Sequence, residues 1–115
     1  MVMKEIIENF KRSMSEITQL PDFRFEAMMV NKTSKERGKE DILSDIRSLP
    51  GVTIVAVREA EKRRPGEDYS ILSLKVDRLV LGHTSTPTII KDLRHKINRL
   101  DGVLSFAIRG IPEQL

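Results

Sequence analysis

Any chemistry in this chain would have to come from two histidines, a few paired carboxylates and short runs of lysine and arginine. His83 sits in the polar stretch Gly82-His83-Thr84-Ser85-Thr86. A nucleophile–base pair needs an imidazole held by a carboxylate, and no local spacing offers one. His95 lies between Arg94 and Lys96 on what reads as the outer side of a helix. The pairs Glu59/Glu61 and Glu67/Asp68 are flanked by Arg58, Lys62, Arg63, Arg64 and a Pro65-Gly66 turn, so solvated charge explains them. Metal ions need clustered His and carboxylate ligands, and that spacing is absent. The chain has no cysteine, which removes thiolate catalysis, thiolate metal sites and disulfides. No catalytic, cofactor or metal residue is assigned, and the reading is that of a non-enzyme without a cofactor.

The cations offer a second kind of chemistry. Lys32, Lys35, Arg37 and Lys39 fall within NKTSKERGKE, residues 31–40, and Lys91 and Arg94 lie on the exposed side of a later helix. These six are candidate phosphate contacts. A phosphate cradle needs several glycines so that backbone N–H groups converge on an anion, and this loop has only Gly38. The net charge of +3, from 20 basic and 17 acidic residues, is a small excess for a polyanion partner. Lys62-Arg63-Arg64 is a run whose field the neighbouring acids cancel.

The elements that must position these residues follow from apolar spacing. Met3, Ile7, Phe10, Met14 and Ile17 alternate four and three apart, which predicts an amphipathic helix over residues 1–21, ended by Pro21. Residues 22–115 then read as one domain. Phe23, Phe25, Ala27 and Met29 mark one face of a first strand. Residues 41–58, DILSDIRSLPGVTIVAVR, are echoed by 92–109, DLRHKINRLDGVLSFAIR. Each copy has helical spacing, a glycine turn and strand spacing. In the first copy the helix begins either near residue 34 or near Lys39. Val55 and Val57 are expected to face the helices, with Ile54 and Ala56 on the far side. Tyr69–Val76 supplies a third strand, with Leu72, Leu74 and Val76 on one face. Thr86 is the expected cap of the second helix, with Pro87 as its first residue. Leu104, Phe106 and Ile108 are expected to face inward from a last strand that Gly110 and Pro112 close.

The predicted class is α+β: an N-terminal helix, then a ferredoxin-like βαββαβ sandwich with an antiparallel sheet in the order 4-1-3-2. The helix–LPGV–strand and helix–LDGV–strand signatures, spanning about residues 23–110, resemble those of ACT-like and related ferredoxin-like domains. They are also similar to short uncharacterised proteins of tailed-phage genomes. The ACT resemblance implies small-molecule sensing near the first strand–helix loop, often at a glycine. Residues 31–40 contain Gly38 but are longer and more charged than that pattern, so no ligand residue is carried over. The phage resemblance implies no role of its own, and offers a phage particle as one setting for the protein. The same strand order occurs in the RNA recognition motif, which stacks bases on aromatics of its first and third strands. Here Phe23, Phe25 and Tyr69 are the only candidates, and SILSLKVDR lacks the basic-aromatic signature.

The far face of the sheet decides the functional expectation. Ile54, Ala56 and Ile71 would leave it more apolar than a lone domain usually exposes. The stripe Met3, Ile7, Phe10, Met14 and Ile17 would complement it, on the same chain or a neighbour. The expected role is a small, non-enzymatic, structural or assembly protein acting as a homo-oligomer or in a larger protein assembly. A ligand-sensing domain and a nonspecific nucleic-acid binder are the alternatives. No apolar run approaches the ~20 residues of a membrane helix, and the charged N-terminus does not read as a secretory signal. A cytoplasmic location, or a virion if phage-encoded, is therefore expected.

Overall fold

The structure, a computed structural model, describes residues 21–81 and 84–115. The N-terminal stripe Met3, Ile7, Phe10, Met14 and Ile17 lies outside the described residues, as does His83. The elements are β1 (Phe23–Lys32), α1 (Lys39–Arg47), β2 (Val52–Glu59), β3 (Glu67–Val76), α2 (Arg78–Leu81), α3 (Thr86–Asn98) and β4 (Val103–Gln114). They form a small α/β arrangement around one antiparallel sheet.

The helix starts follow from local hydrogen bonding. α1 begins at Lys39, where Asp41 Oδ2 accepts the Gly38 N–H at 2.9 Å. This satisfies a backbone donor that the helix start leaves without a partner, and Glu40 and Asp41 suit the positive end of the helix dipole. α3 is capped by Ser85, whose Oγ accepts the Thr88 N–H, and Pro87 fits the first turn because its missing donor would go unused there. Both repeat copies end their helix at a glycine with positive φ, Gly51 at 75° and Gly102 at 91°. A side chain at Gly51 would also meet Leu81 Cγ at 3.0 Å, so α2 packs directly on that turn.

The strand order is β2-β3-β1-β4, which from the opposite edge reads β4-β1-β3-β2. All three pairings are antiparallel. Both long helices cover one face. From the sheet, Phe23, Phe25, Ala27, Met29, Leu72, Leu74, Val76 and Phe106 meet Ile42, Leu43 and Ile46 of α1 and Ile89, Leu93 and Ile97 of α3. Each large apolar side chain buried there contributes roughly 1.5–3 kcal/mol.

The expected architecture is corrected in three respects. First, the described chain is not a leading helix on a βαββαβ sandwich: it runs β-α-β-β-α-α-β, with the short α2 inserted before α3. The segment Arg78–Leu81 forms a helical turn because Asp77 Oδ1 accepts the Leu79 N–H at 2.9 Å, a local side-chain cap. Second, the strands are longer. β1 takes in Asn31 and Lys32, and β4 runs on to Gln114, its pairing with β1 interrupted across Gly110, Ile111 and Pro112 and resumed at Glu113, where an edge strand tolerates proline. Third, two bulges reset which residues face the core. Ile54 pairs with Leu74 and Ala56 with Ser73, leaving Val55 as an extra residue, 50% exposed. Ile54 therefore packs against the core instead of the far face. In β4, Val103 pairs with Asn31 and Ser105 with Val30, so Leu104 is the extra residue and is 43% exposed. The cap of α3 is also Ser85, one residue before the expected Thr86.

Candidate functional site

No described element covers the far face of the sheet, and the register sets its side chains in rows. Glu113, Arg24, Lys75 and Thr53 form one row; Arg109, Glu26, Ser73 and Ala56 the next; Ala107, Met28, Ile71 and Arg58 the third; Ser105, Val30 and Tyr69 the fourth. One end of the face is thus charged and the other apolar. Arg24 Nη2 lies 3.0 Å from Glu113 Oε2, and Arg58 Nη2 lies 3.6 Å from Glu26 Oε1. Arg109 has no carboxylate within ion-pair distance among the described residues. These charges rim a shallow depression of about 430 Å³ whose floor includes Ala56, Ile71 and Ser73. Met28, Val30 and Ile71 are half-buried, and Ala56 and Ala107 exposed.

Tyr69 closes the apolar end. Its hydroxyl donates to Glu67 Oε2 at 2.6 Å. That bond, aided by partial burial and the carboxylate's charge, raises the phenol above its ordinary pKa, against a smaller opposing effect of Arg64 and Arg63.

The candidate phosphate contacts do not form one cluster. Arg37 is committed to the fold. Its Nε donates to the Asp101 carbonyl at 2.6 Å and its Nη2 to Asp45, tying the β1–α1 loop to α1 and to the Gly102 turn. The hydrogen bond to Asp45 raises the Arg37 pKa. Lys39 Nζ lies 3.8 Å from Glu59. Lys32 and Lys35 are exposed without a shared partner. Lys91 and Arg94 line a separate groove with Pro87, Ile90, Ile108 and Pro112. Of the expected interface residues, Ala56 and Ile71 stand on the open face, Ile54 does not, and the N-terminal five lie outside the described residues.

The carboxylate pairs are split by their cations. Glu59 faces Lys39, Asp68 lies 3.5 Å from Lys62, and Glu67 holds Tyr69. Among the described residues no three histidines or carboxylates converge as a metal site, and no helix is long and apolar enough to cross a membrane. His95 is exposed on α3.

Two residues that carry much of the architecture give little sign of it in the sequence. Arg78 is 5% exposed, and its guanidinium carbon lies 5.0 Å from the Phe23 ring centroid. It donates to the Pro21 carbonyl at 2.8 Å, to the Thr84 carbonyl at 3.1 Å and to Thr86 Oγ1. A lone cation in the otherwise apolar run RLVL was its only signal. Asn98 accepts the Phe106 N–H on Oδ1 at 2.9 Å and donates Nδ2 to the Phe106 carbonyl at 3.3 Å. Its signal was a repeat mismatch, since the first copy has Arg47 at that position.

Comparison of the chain with models of protein families, with curated proteins and with solved structures finds no match. The functional reading therefore rests on the surfaces themselves.

Proposed function

We propose that this protein is a non-catalytic interaction module that self-associates through the uncovered face of its sheet. The observation that supports it is the layout of that face. Met28, Ile71 and Ala107 share a row that Arg58 ends, Val30 lies beyond it, and charges of both signs sit at the other end: Arg24, Lys75 and Arg109 with Glu26 and Glu113. A two-fold contact sets a surface against itself, so a patch carrying both signs meets its complement in a second copy. A single-sign patch would repel its own image. Covering a few hundred Å² of the apolar part is worth several kcal/mol at ~25 cal/mol per Å².

Light scattering coupled to size-exclusion chromatography of the full chain tests this. The native protein is expected to shift toward a dimer as its concentration is raised about a hundredfold, as mass action requires. Ile71→Asp, which buries a charge in the contact and leaves the helix-covered core intact, is expected to stay monomeric. A native protein that is monomeric throughout that range sinks the proposal.

A further inference from the structure

A second surface lies along the outer edge of β4. The Asn98 side chain fixes the direction of the backbone there. Because Phe106 gives both its N–H and its carbonyl to Asn98, those groups point away from β1. The amide of Asn98 occupies the place where a neighbouring strand would pair. Strand alternation then turns the N–H and carbonyl of Ile108, two residues on and in unbroken register opposite Ala27, toward the same open edge. Beyond Arg109 the pairing with β1 breaks across Gly110, Ile111 and Pro112 and resumes at Glu113, and Pro112 has no N–H to give. Asn98 at one end and Pro112 at the other bound a short length of edge with no strand partner among the described residues.

That edge is not bare. α3 runs beside it, and Pro87, Lys91, Arg94 and Asn98 recur four, three and four apart, which is one stripe of a helix. Between stripe and edge lies a groove of about 340 Å³, its apolar lining from Pro87, Ile90, Ile108 and Pro112. Lys91 and Arg94 rim it, both exposed, and neither has a carboxylate within ion-pair distance among the described residues.

We propose that this groove docks an extended, acid-bearing segment of a partner protein, which adds to the edge of β4 as a fifth strand. The backbone of Ile108 would supply main-chain hydrogen bonds. The groove would take an apolar side chain, and a carboxylate on the incoming strand would meet Lys91 and Arg94. Charge complementarity selects an acidic partner. The aliphatic lining selects a peptide over a nucleic acid, because bases bind on aromatic platforms and this groove has none.

The test is fluorescence anisotropy with the full chain and a labelled synthetic peptide of alternating valine and glutamate. Its analogues carry lysine for glutamate, or N-methyl groups on the central backbone nitrogens. The glutamate peptide is expected to bind saturably. The lysine and N-methylated analogues are each expected to bind at least about tenfold more weakly, a difference of 1.4 kcal/mol. Lys91→Glu combined with Arg94→Glu is expected to lose the glutamate peptide by a similar factor and gain the lysine peptide. That exchange separates a changed groove from a misfolded protein. Three results overturn the proposal: no saturable binding of the glutamate peptide, equal binding of its N-methylated analogue, or equal competition by an oligodeoxythymidylate of the same charge, which would mark a polyanion surface.

Discussion

Tyr69 is the only tyrosine in the chain, so its ionisation can be followed without interference. Its phenol donates to Glu67, and the folded state therefore holds the proton more tightly than the unfolded chain does. A group whose folded pKa is raised contributes stability that is fully present below its unfolded value, about 10. That contribution is lost as pH rises through the higher folded value. Alkaline absorbance titration is expected to give a midpoint above that of free tyrosine. Glu67→Gln, which keeps an acceptor but removes the charge, is expected to lower it. A midpoint indifferent to Glu67 would mean that the hydrogen bond does not govern the proton. None of this could be read from the run YSILSLKV, which starts at Tyr69: Glu67, two residues earlier, shares its face only if the strand begins as early as Glu67. Arg37 posed the same difficulty. Its charge and loop position suggested an anion partner, but Asp45 and the carbonyl of Asp101 claim it once α1 and the second turn are folded beside it.

At the level of elements, what the sequence revealed was whatever repeats locally. Helix, glycine turn and strand recur in both copies because apolar spacing and the demand for positive φ at Gly51 and Gly102 are properties of short segments. The bulges at Val55 and Leu104 were hidden, because each is set by the partner strand's register, and both residues are as apolar as their buried neighbours. Strict alternation through Val52–Val57 puts Ile54 on the wrong side, since a single inserted residue reverses every side chain beyond it. Arg78 was hidden for a related reason: its acceptors come from the start of β1 and from the entry to α3. It joins three elements with one planar group. Arg78→Ala is expected to cost about 2–3 kcal/mol by chemical denaturation, since it removes three part-buried hydrogen bonds and the contact over Phe23. Arg78→Lys is expected to recover little of that, because an ammonium cannot present the same fork of donors. A loss below about 0.5 kcal/mol for the alanine variant, the range of ordinary surface changes, would show that Arg78 is incidental.

On the scale of the whole molecule, the proposed contacts differ in physical character, and salt separates them. The open face combines an apolar row with charges of both signs already paired within the chain as Arg24–Glu113 and Arg58–Glu26. Exposed pairs of this kind contribute about 0–1 kcal/mol each. Self-association through that face therefore draws mainly on apolar burial, which salt does not screen. The β4 groove relies on Lys91 and Arg94 attracting an opposite charge across solvent, where the screening length falls from about 10 Å at 0.1 M salt to about 3 Å at 1 M. Raising salt over that range is expected to weaken the glutamate peptide severalfold while moving the monomer–dimer midpoint by less than about threefold. The comparison is made on one protein, with anisotropy for the groove and light scattering for the dimer. If the dimer instead dissociates as steeply as the peptide, the charged end of the face supplies its binding energy. Met28, Ile71 and Ala107 would then be a surface that water covers without penalty, and the apolar basis of the self-association proposal would fail.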